Sequence, residues 1–303
     1  MSATRRGTSS SSGAPDGVRT TTPAADEPTL VVLVRHGEAR CNVEGVIGGR
    51  LGCRGLSEAG RRQVRDLRDR LVAGGGSRAP AALYCSVLPR AVETARILAP
   101  AFATSLSDAT IRTNAKVLGN ATFPAPGAAS TVGAVSTVGA VPTRAAIALT
   151  PVAASLGDPG AHLPILKQDC DLCELHPGDA DGLSWSEYTE RFGVPDWDAD
   201  PGAPFAPGGE SWEAFVLRAS DAVSRVADRH PNALSVVVCH AGVIEATMVR
   251  FLPIHPKTAR LGLPTSYASV TVWERRGTRW LLHTYNDSSW PGGNGCDSVP
   301  RGR

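Results

Sequence analysis

Thr29-Leu30-Val31-Val32-Leu33-Val34-Arg35-His36-Gly37-Glu38 is the stretch from which the rest of the chain can be read. Its first six residues include five aliphatic side chains and no polar alternation. A strand wetted on one face would alternate, so this run reads as a strand buried on both faces. It stops abruptly on Arg35-His36-Gly37-Glu38, a polar end on an apolar element. Two further runs share this form, Ala81–Cys85 and Ala233–Cys239, and the last also ends on a histidine and glycine, His240-Ala241-Gly242.

Helical patterns follow these runs. Pro89 stands where a first-turn proline belongs, and Ala91, Val92, Ala95, Ile97 and Leu98 continue a helix after it. Gly242 opens a second helix running to about Phe251. After the first strand comes a glycine-rich loop, Gly45 to Gly55, then a helix with Ser57 as its N-cap and Val64, Leu67 and Leu71 on its apolar face. Strands alternating with helices imply a doubly wound α/β fold: a mostly parallel sheet with helices on both faces and right-handed crossovers. Tyr267–Glu274 and Trp280–Tyr285 flank Arg275-Arg276-Gly277-Thr278-Arg279 and read as a C-terminal antiparallel hairpin on the sheet edge.

In open α/β sheets ligands bind beyond the carboxyl ends of the strands. Arg35 and His36 end the first strand and His240 ends the third. Arg90 stands in the first turn of the helix after the second. Two guanidiniums and a helix N-terminus suit a phosphate dianion. A neutral imidazole beside that phosphate can attack phosphorus in line and hold the phosphoryl group, and a nearby carboxylic acid can protonate the leaving alkoxide.

These residues resemble a known family. Arg35-His36-Gly37-Glu38, Asn42, Arg90-Ala91-Val92-Glu93-Thr94-Ala95 and His240-Ala241-Gly242 are similar, in order and in strand context, to the motifs of the histidine phosphatase superfamily, whose fold is called phosphoglycerate mutase-like. Leu172-Cys173-Glu174-Leu175-His176-Pro177-Gly178, with Gly182 beyond it, resembles the family's acid-bearing loop. Pro207-Gly208-Gly209-Glu210-Ser211 resembles a segment of its phosphatase branch. The likeness covers roughly 29–103 and 167–287. It implies that His36 is the phosphorylated nucleophile and that Arg35, Arg90 and His240 bind the transferred group, with Asn42 as a supporting donor. It implies Glu174 as general acid and then base, and neither metal nor cofactor. Asp181 stands where many relatives carry Glu, and Ser288-Ser289-Trp290 lacks a histidine often found after the Asn-Asp pair seen here as Asn286-Asp287. Those departures bear on substrate identity and leave the transfer residues untouched. Phosphomonoester hydrolysis of a small phosphorylated metabolite is the expected reaction. The alternatives are a phosphoglycerate mutase using the same phosphohistidine, or a catalytically silent module that binds a phosphorylated ligand. Cys41-Asn42 where the mutase branch carries Trp-Asn, and the Pro-Gly-Gly-Glu segment, favour hydrolysis.

The rest of the chain bounds this reading. Of 303 residues, 31 are Lys or Arg and 29 are Asp or Glu, a net charge of +2 with no basic excess, which argues against a nucleic-acid partner. Residues 1–28 are rich in Ser, Thr, Gly and Pro and read as a disordered arm. A single domain is expected over 29–290, interrupted at about 104–166 by a low-complexity insertion that repeats Ser130–Val135 at Ser136–Val141, with a flexible tail over 291–303. No run reaches the roughly 20 apolar residues of a membrane span, and the segment after Arg5-Arg6 lacks the apolar core of a secretion signal, so a cytoplasmic location is expected. Seven scattered cysteines read as free thiols. Cys170 and Cys173 form a lone C-x-x-C without the second pair that a structural zinc site would want. Trp185, Trp197 and Trp212 flank the acid loop and fit either plain packing or a substrate wall. Oligomeric state is not legible.

Overall fold

Val31, Leu33 and Val34 of the opening run are all buried to within 1% of complete, as a strand covered on both faces requires. The structure, a computed structural model, describes residues 27–73, 80–102, 104–105, 148–150, 161–162 and 165–289. The 1–28 arm but for its last two residues, the 291–303 tail, the tandem hexapeptide and most of 104–166 lie outside the described residues.

The strands are β1 (Thr29–Arg35), β2 (Ala82–Cys85), β3 (Thr104–Ser105), β4 (Ala148–Thr150), β5 (Ala161–His162), β6 (Leu166–Gln168), β7 (Leu234–Cys239), β8 (Val270–Arg276) and β9 (Arg279–Asp287). Seven of them form a mixed sheet in the order β4-β6-β2-β7-β1-β8-β9, and β3 and β5 pair separately. The four central strands β6, β2, β7 and β1 run parallel, and both edges carry antiparallel strands. The helices are α1 (Arg40–Glu44), α2 (Glu58–Ala73), α3 (Pro89–Leu98), α4 (Trp185–Phe192), α5 (Trp212–Arg229) and α6 (Ala241–Phe251).

Alternation along the strands sorts the helices onto two faces. Val237 and Cys239 of β7 pack with Phe215, Val223 and Val226 of α5 and Ile244 of α6. Val236 and Val238, pointing the other way, pack with Val64 and Leu67 of α2 and Ala91 and Ala95 of α3. Burying one such side chain contributes roughly 1.5–3 kcal/mol, so each strand is fixed in register by both faces at once. Ser57 caps α2, its Oγ accepting the Gly60 N–H at 2.9 Å, and Pro89 occupies the first turn of α3.

The structure departs from the sequence expectation in four places. The expected strand 267–274 starts at Val270, because Ala268 adopts a positive φ of 53° just before it. The five-residue hairpin loop shortens to Gly277-Thr278, since Arg275 pairs with Trp280 and Arg276 with Arg279. The stretch read as an insertion holds β3, β4, β5 and the first residue of β6, so β6 extends the parallel sheet where only a connection was expected. Helix α5, which buries nine side chains, was not anticipated, although Ser211 as N-cap and the spacing of Phe215, Val216, Ala219, Val223 and Val226 signal it.

Candidate active site

In-register parallel pairing builds the site. Arg35 at the end of β1 lies opposite Cys239 at the end of β7, so His36 and His240 follow side by side. The His36 N–H donates to Cys239 O at 3.0 Å, and the two rings meet edge to face with centroids 5.1 Å apart. Arg90 arrives from α3, its Nε donating to His36 Nε2 at 3.1 Å and its Nη1 to Gly48 O at 2.5 Å. Arg35 donates to the Thr265 carbonyl and stacks 4.0 Å above the Tyr267 ring centroid. The structure thus brings Arg35, His36, Arg90 and His240 together, and each is at most 7% exposed.

Gly37 is required by close approach. A Cβ there would lie 2.5 Å from the Gly60 carbonyl and 2.8 Å from Val64 Cγ2 of α2. Its N–H donates to Thr94 Oγ1 at 3.2 Å, and that hydroxyl donates to Arg90 O at 2.8 Å, which ties the His36 turn to α3.

Electrostatics set the protonation of the histidines. Burial, then the Arg90 and Arg35 charges, push His36 well below its ordinary range. His240 is pushed down by burial, then by Arg90, His36 and Arg35. Both are therefore neutral near pH 7. His36 Nδ1 lies 2.6 Å from Gly37 O, an atom that can only accept, so Nδ1 carries the proton and Nε2 presents its lone pair. Burial also lowers Arg35, against the raising influence of Tyr267 and Glu174. Among the described residues no carboxylate forms an ion pair with Arg35 or Arg90, and Arg35 Nε and both His240 nitrogens are buried without a hydrogen-bond partner. Buried cations without a counter-ion are costly, so the cluster is poised for an anion.

Glu174 stands at the N-terminus of α6, where Gly242 N–H donates to its Oε2 at 3.1 Å. Its acidic neighbours are engaged elsewhere: Asp169 accepts from Asp171 N, Asp171 pairs with Arg225 at 2.6 Å, and Asp181 accepts the N–H groups of Gly49, Leu51 and Gly52 at 2.8–2.9 Å. Asn42 is exposed on α1, and its amide oxygen accepts the Ala39 N–H at 3.3 Å, a capping role. The structure does not tie it to the cluster. Beside Glu174 a cleft of about 350 Å³ is lined by Arg50, Leu88, Glu174, His176 and Asp181 among others.

Sequence reasoning missed the residue that holds this loop. Arg218 of α5 forms a two-pronged ion pair with Glu210 at 2.6 and 2.7 Å and donates to the carbonyls of Asp171 and Cys173 at 2.8 and 3.2 Å. Glu210 accepts the His176 N–H at 2.9 Å. The Pro207–Ser211 segment therefore acts by clamping the acid loop. Trp212 is buried and stacks on Trp197 at 5.9 Å, so packing explains both, while Trp185 is half exposed against Tyr188 and Phe205. The six described cysteines are all free thiols.

Known proteins resemble the chain over most of its length. Over 268 residues the chain is 25% identical to a metal-independent phosphoserine phosphatase of Arabidopsis thaliana, covering 87% of this chain and 83% of that one. It is 27% identical to a phosphoglycerate mutase-like protein 4 of the same plant over 267 residues, covering 86% and 85%. A mycobacterial glucosyl-3-phosphoglycerate phosphatase superposes with a TM-score of 0.53 at 23% identity, over 85% of this chain and 98% of that one, and so shares the fold. The model of the histidine phosphatase superfamily (branch 1) matches residues 31–110 and 143–288, and the chain belongs to that family.

Proposed function

We propose that the protein is a phosphomonoester hydrolase working through a phosphohistidine on His36, without a metal or cofactor in the transfer. The observation that carries this is the neutral His36, whose Nε2 lone pair faces the buried Arg90 guanidinium, in a cluster where, among the described residues, neither Arg90 nor Arg35 has a carboxylate ion-pair partner. The substrate phosphoryl group lies between Arg35, Arg90 and His240, whose N–H donors offset its charge as it transfers. His36 Nε2 forms the P–N bond as the P–O bond to the leaving group breaks, and Glu174 gives the departing alkoxide its proton. Glu174 then removes a proton from water, the resulting hydroxide displaces His36 from phosphorus, and inorganic phosphate leaves. Asn42 is the supporting donor in this reading through its amide nitrogen, since its capping bond engages only the oxygen.

The cleft beside Glu174 fits the leaving group of a small phosphorylated metabolite, and the substrates named for the Arabidopsis and mycobacterial relatives are of that class. We assign catalysis to one domain over 29–290. No described helix is long and apolar enough to cross a membrane, and free thiols fit the reducing cytoplasm. The test is an alkaline quench of enzyme mixed with an aryl phosphate. Phosphate bound to His36 in the native chain and none in His36→Ala is the expected result, with His36→Ala folded but inactive. Full activity in that variant would sink the mechanism. With 3-phosphoglycerate and its bisphosphate primer, phosphate release should outrun isomerisation.

A further inference from the structure

The acid loop carries three soft donors that phosphoryl transfer does not use. Cys170, Cys173 and His176 recur at every third residue, and their donor atoms lie within 4.8 Å of one another. Cys170 Sγ is 3.7 Å from Cys173 Sγ and 3.7 Å from His176 Nε2. A tetrahedral zinc ion, with Zn–S of about 2.3 Å and Zn–N of about 2.0–2.1 Å, sets S–S edges of about 3.8 Å and S–N edges of about 3.6 Å. Both recorded distances match these edges. Two sulfurs in ordinary contact also stand near this separation, so the surroundings decide.

Those surroundings are the ones a metal site uses. His176 Nδ1 lies 3.5 Å from Glu210 Oε2. Metal-bound histidines give their second ring N–H to a carboxylate, which fixes the tautomer and aims the other nitrogen at the metal, and a small turn of the His176 ring would close this ion-pair contact to such a hydrogen bond. Arg50 Nη2 donates to Cys170 Sγ at 3.1 Å and Ser86 Oγ to Cys173 Sγ at 3.2 Å. Such donors favour sulfur as thiolate and leave it lone pairs for a cation. Arg218 grips the loop through the Asp171 and Cys173 carbonyls, so the donors are held in place. All three line the cleft, which leaves a fourth position to water or to a ligand entering it.

We propose that Cys170, Cys173 and His176 form a binding site for a thiophilic divalent cation such as zinc, with Glu210 orienting His176. It supplies the third ligand that the lone C-x-x-C lacks, and it takes no part in phosphoryl transfer. Filled by a divalent cation on two thiolates and a neutral imidazole, it carries no net charge and cross-links the loop that carries Glu174.

The test is titration of the reduced, metal-free full chain with Co²⁺. One equivalent should bind with thiolate-to-cobalt charge transfer and tetrahedral d–d absorption, and Zn²⁺ should displace it. Cys170→Ser and Cys173→Ser should abolish the charge-transfer band or halve it, and His176→Ala should weaken binding about 10–100-fold or more. His36→Ala and Cys41→Ser should bind as the native chain does, which separates this site from the hydrolytic reading and from the other close thiol pair, Cys41 hydrogen-bonded to Cys53. Circular dichroism confirms folding. If Cys173→Ser does not fold, Cys170→Ser and His176→Ala, at less buried positions, carry the test. No cobalt uptake, an unchanged spectrum in Cys170→Ser, or loss of the spectrum in Cys41→Ser would overturn the proposal.

Discussion

In the proposed mechanism Glu174 and His36 divide the chemistry between an acid at a helix N-terminus and an imidazole held neutral by burial. Their roles predict different kinetics. Glu174→Gln should slow hydrolysis by about 10²–10⁴, and the loss in the phosphorylation step should be larger for alkyl than for aryl phosphates, because a poor leaving group needs the proton more. Equal losses for both leaving groups would argue for a merely structural carboxylate. Since His36 lies well below its ordinary range, the acidic limb of kcat/KM should fall below pH 6.5. A limb at or above 6.5 would show that the nucleophile is not the desolvated imidazole described above.

At the scale of elements, two contacts position these residues. The first is the packing of the β1 end against α2. Gly37→Ala drives a methyl into the Gly60 carbonyl and Val64, so thermal unfolding should show a cost of about 1–3 kcal/mol and activity should fall with it. The second is the clamp from α5. Arg218 and Glu210 are both about 15% exposed in their side chains, and breaking a pair buried to that degree costs roughly 3–5 kcal/mol. Burial tends to raise Glu210, but hydrogen bonds and charge from Arg218 outweigh it and hold the carboxyl below its usual range. Arg218→Met should therefore lower both stability and kcat, and adding Glu210→Gln should recover part of the stability by removing the orphaned charge. A double-mutant cycle with no coupling would refute the clamp.

For the whole molecule, the depressed histidines make stability depend on pH. His36 and His240 bind protons more weakly folded than unfolded, so stability is intact above about pH 6.5 and is lost as pH falls through the unfolded value. Each group contributes a slope of up to about 1.4 kcal/mol per pH unit. Glu210, held below its ordinary value, adds a separate loss as pH falls from the unfolded carboxylate range through its lower folded value. The melting temperature should thus fall between pH 7 and 5, and less steeply in His36→Ala, which removes one of three depressed histidines, the third being His230, pushed down by burial and by the Lys167 and Arg229 charges. An identical slope in that variant would contradict the assignment.

How much of this was legible depended on sequence distance. Strands β1, β2 and β7, the helices that follow them and the four residues proposed for transfer could be read locally, because a doubly buried strand is an unbroken apolar run and a site at strand ends is a polar break in it. The added parallel strand β6, between β4 and β2, was hidden, since three residues carry too little pattern. Helix α5 was overlooked although its cap and period were present.

The sequence by itself determined that strands end on Arg35, His36 and His240 at one sheet edge, with Arg90 close behind, and so that the chain handles a phosphoryl group. Only the tertiary structure decided how the acid loop is held, through Arg218 and Glu210, and that Cys170, Cys173 and His176 converge. The first kind of fact follows from hydrophobic burial, which acts on neighbours along the chain. The second follows from side-chain directions that spacing alone does not give, and from donors brought to the acid loop from 34 residues away at Glu210 and 47 residues away at Arg218, a distance that no local pattern records.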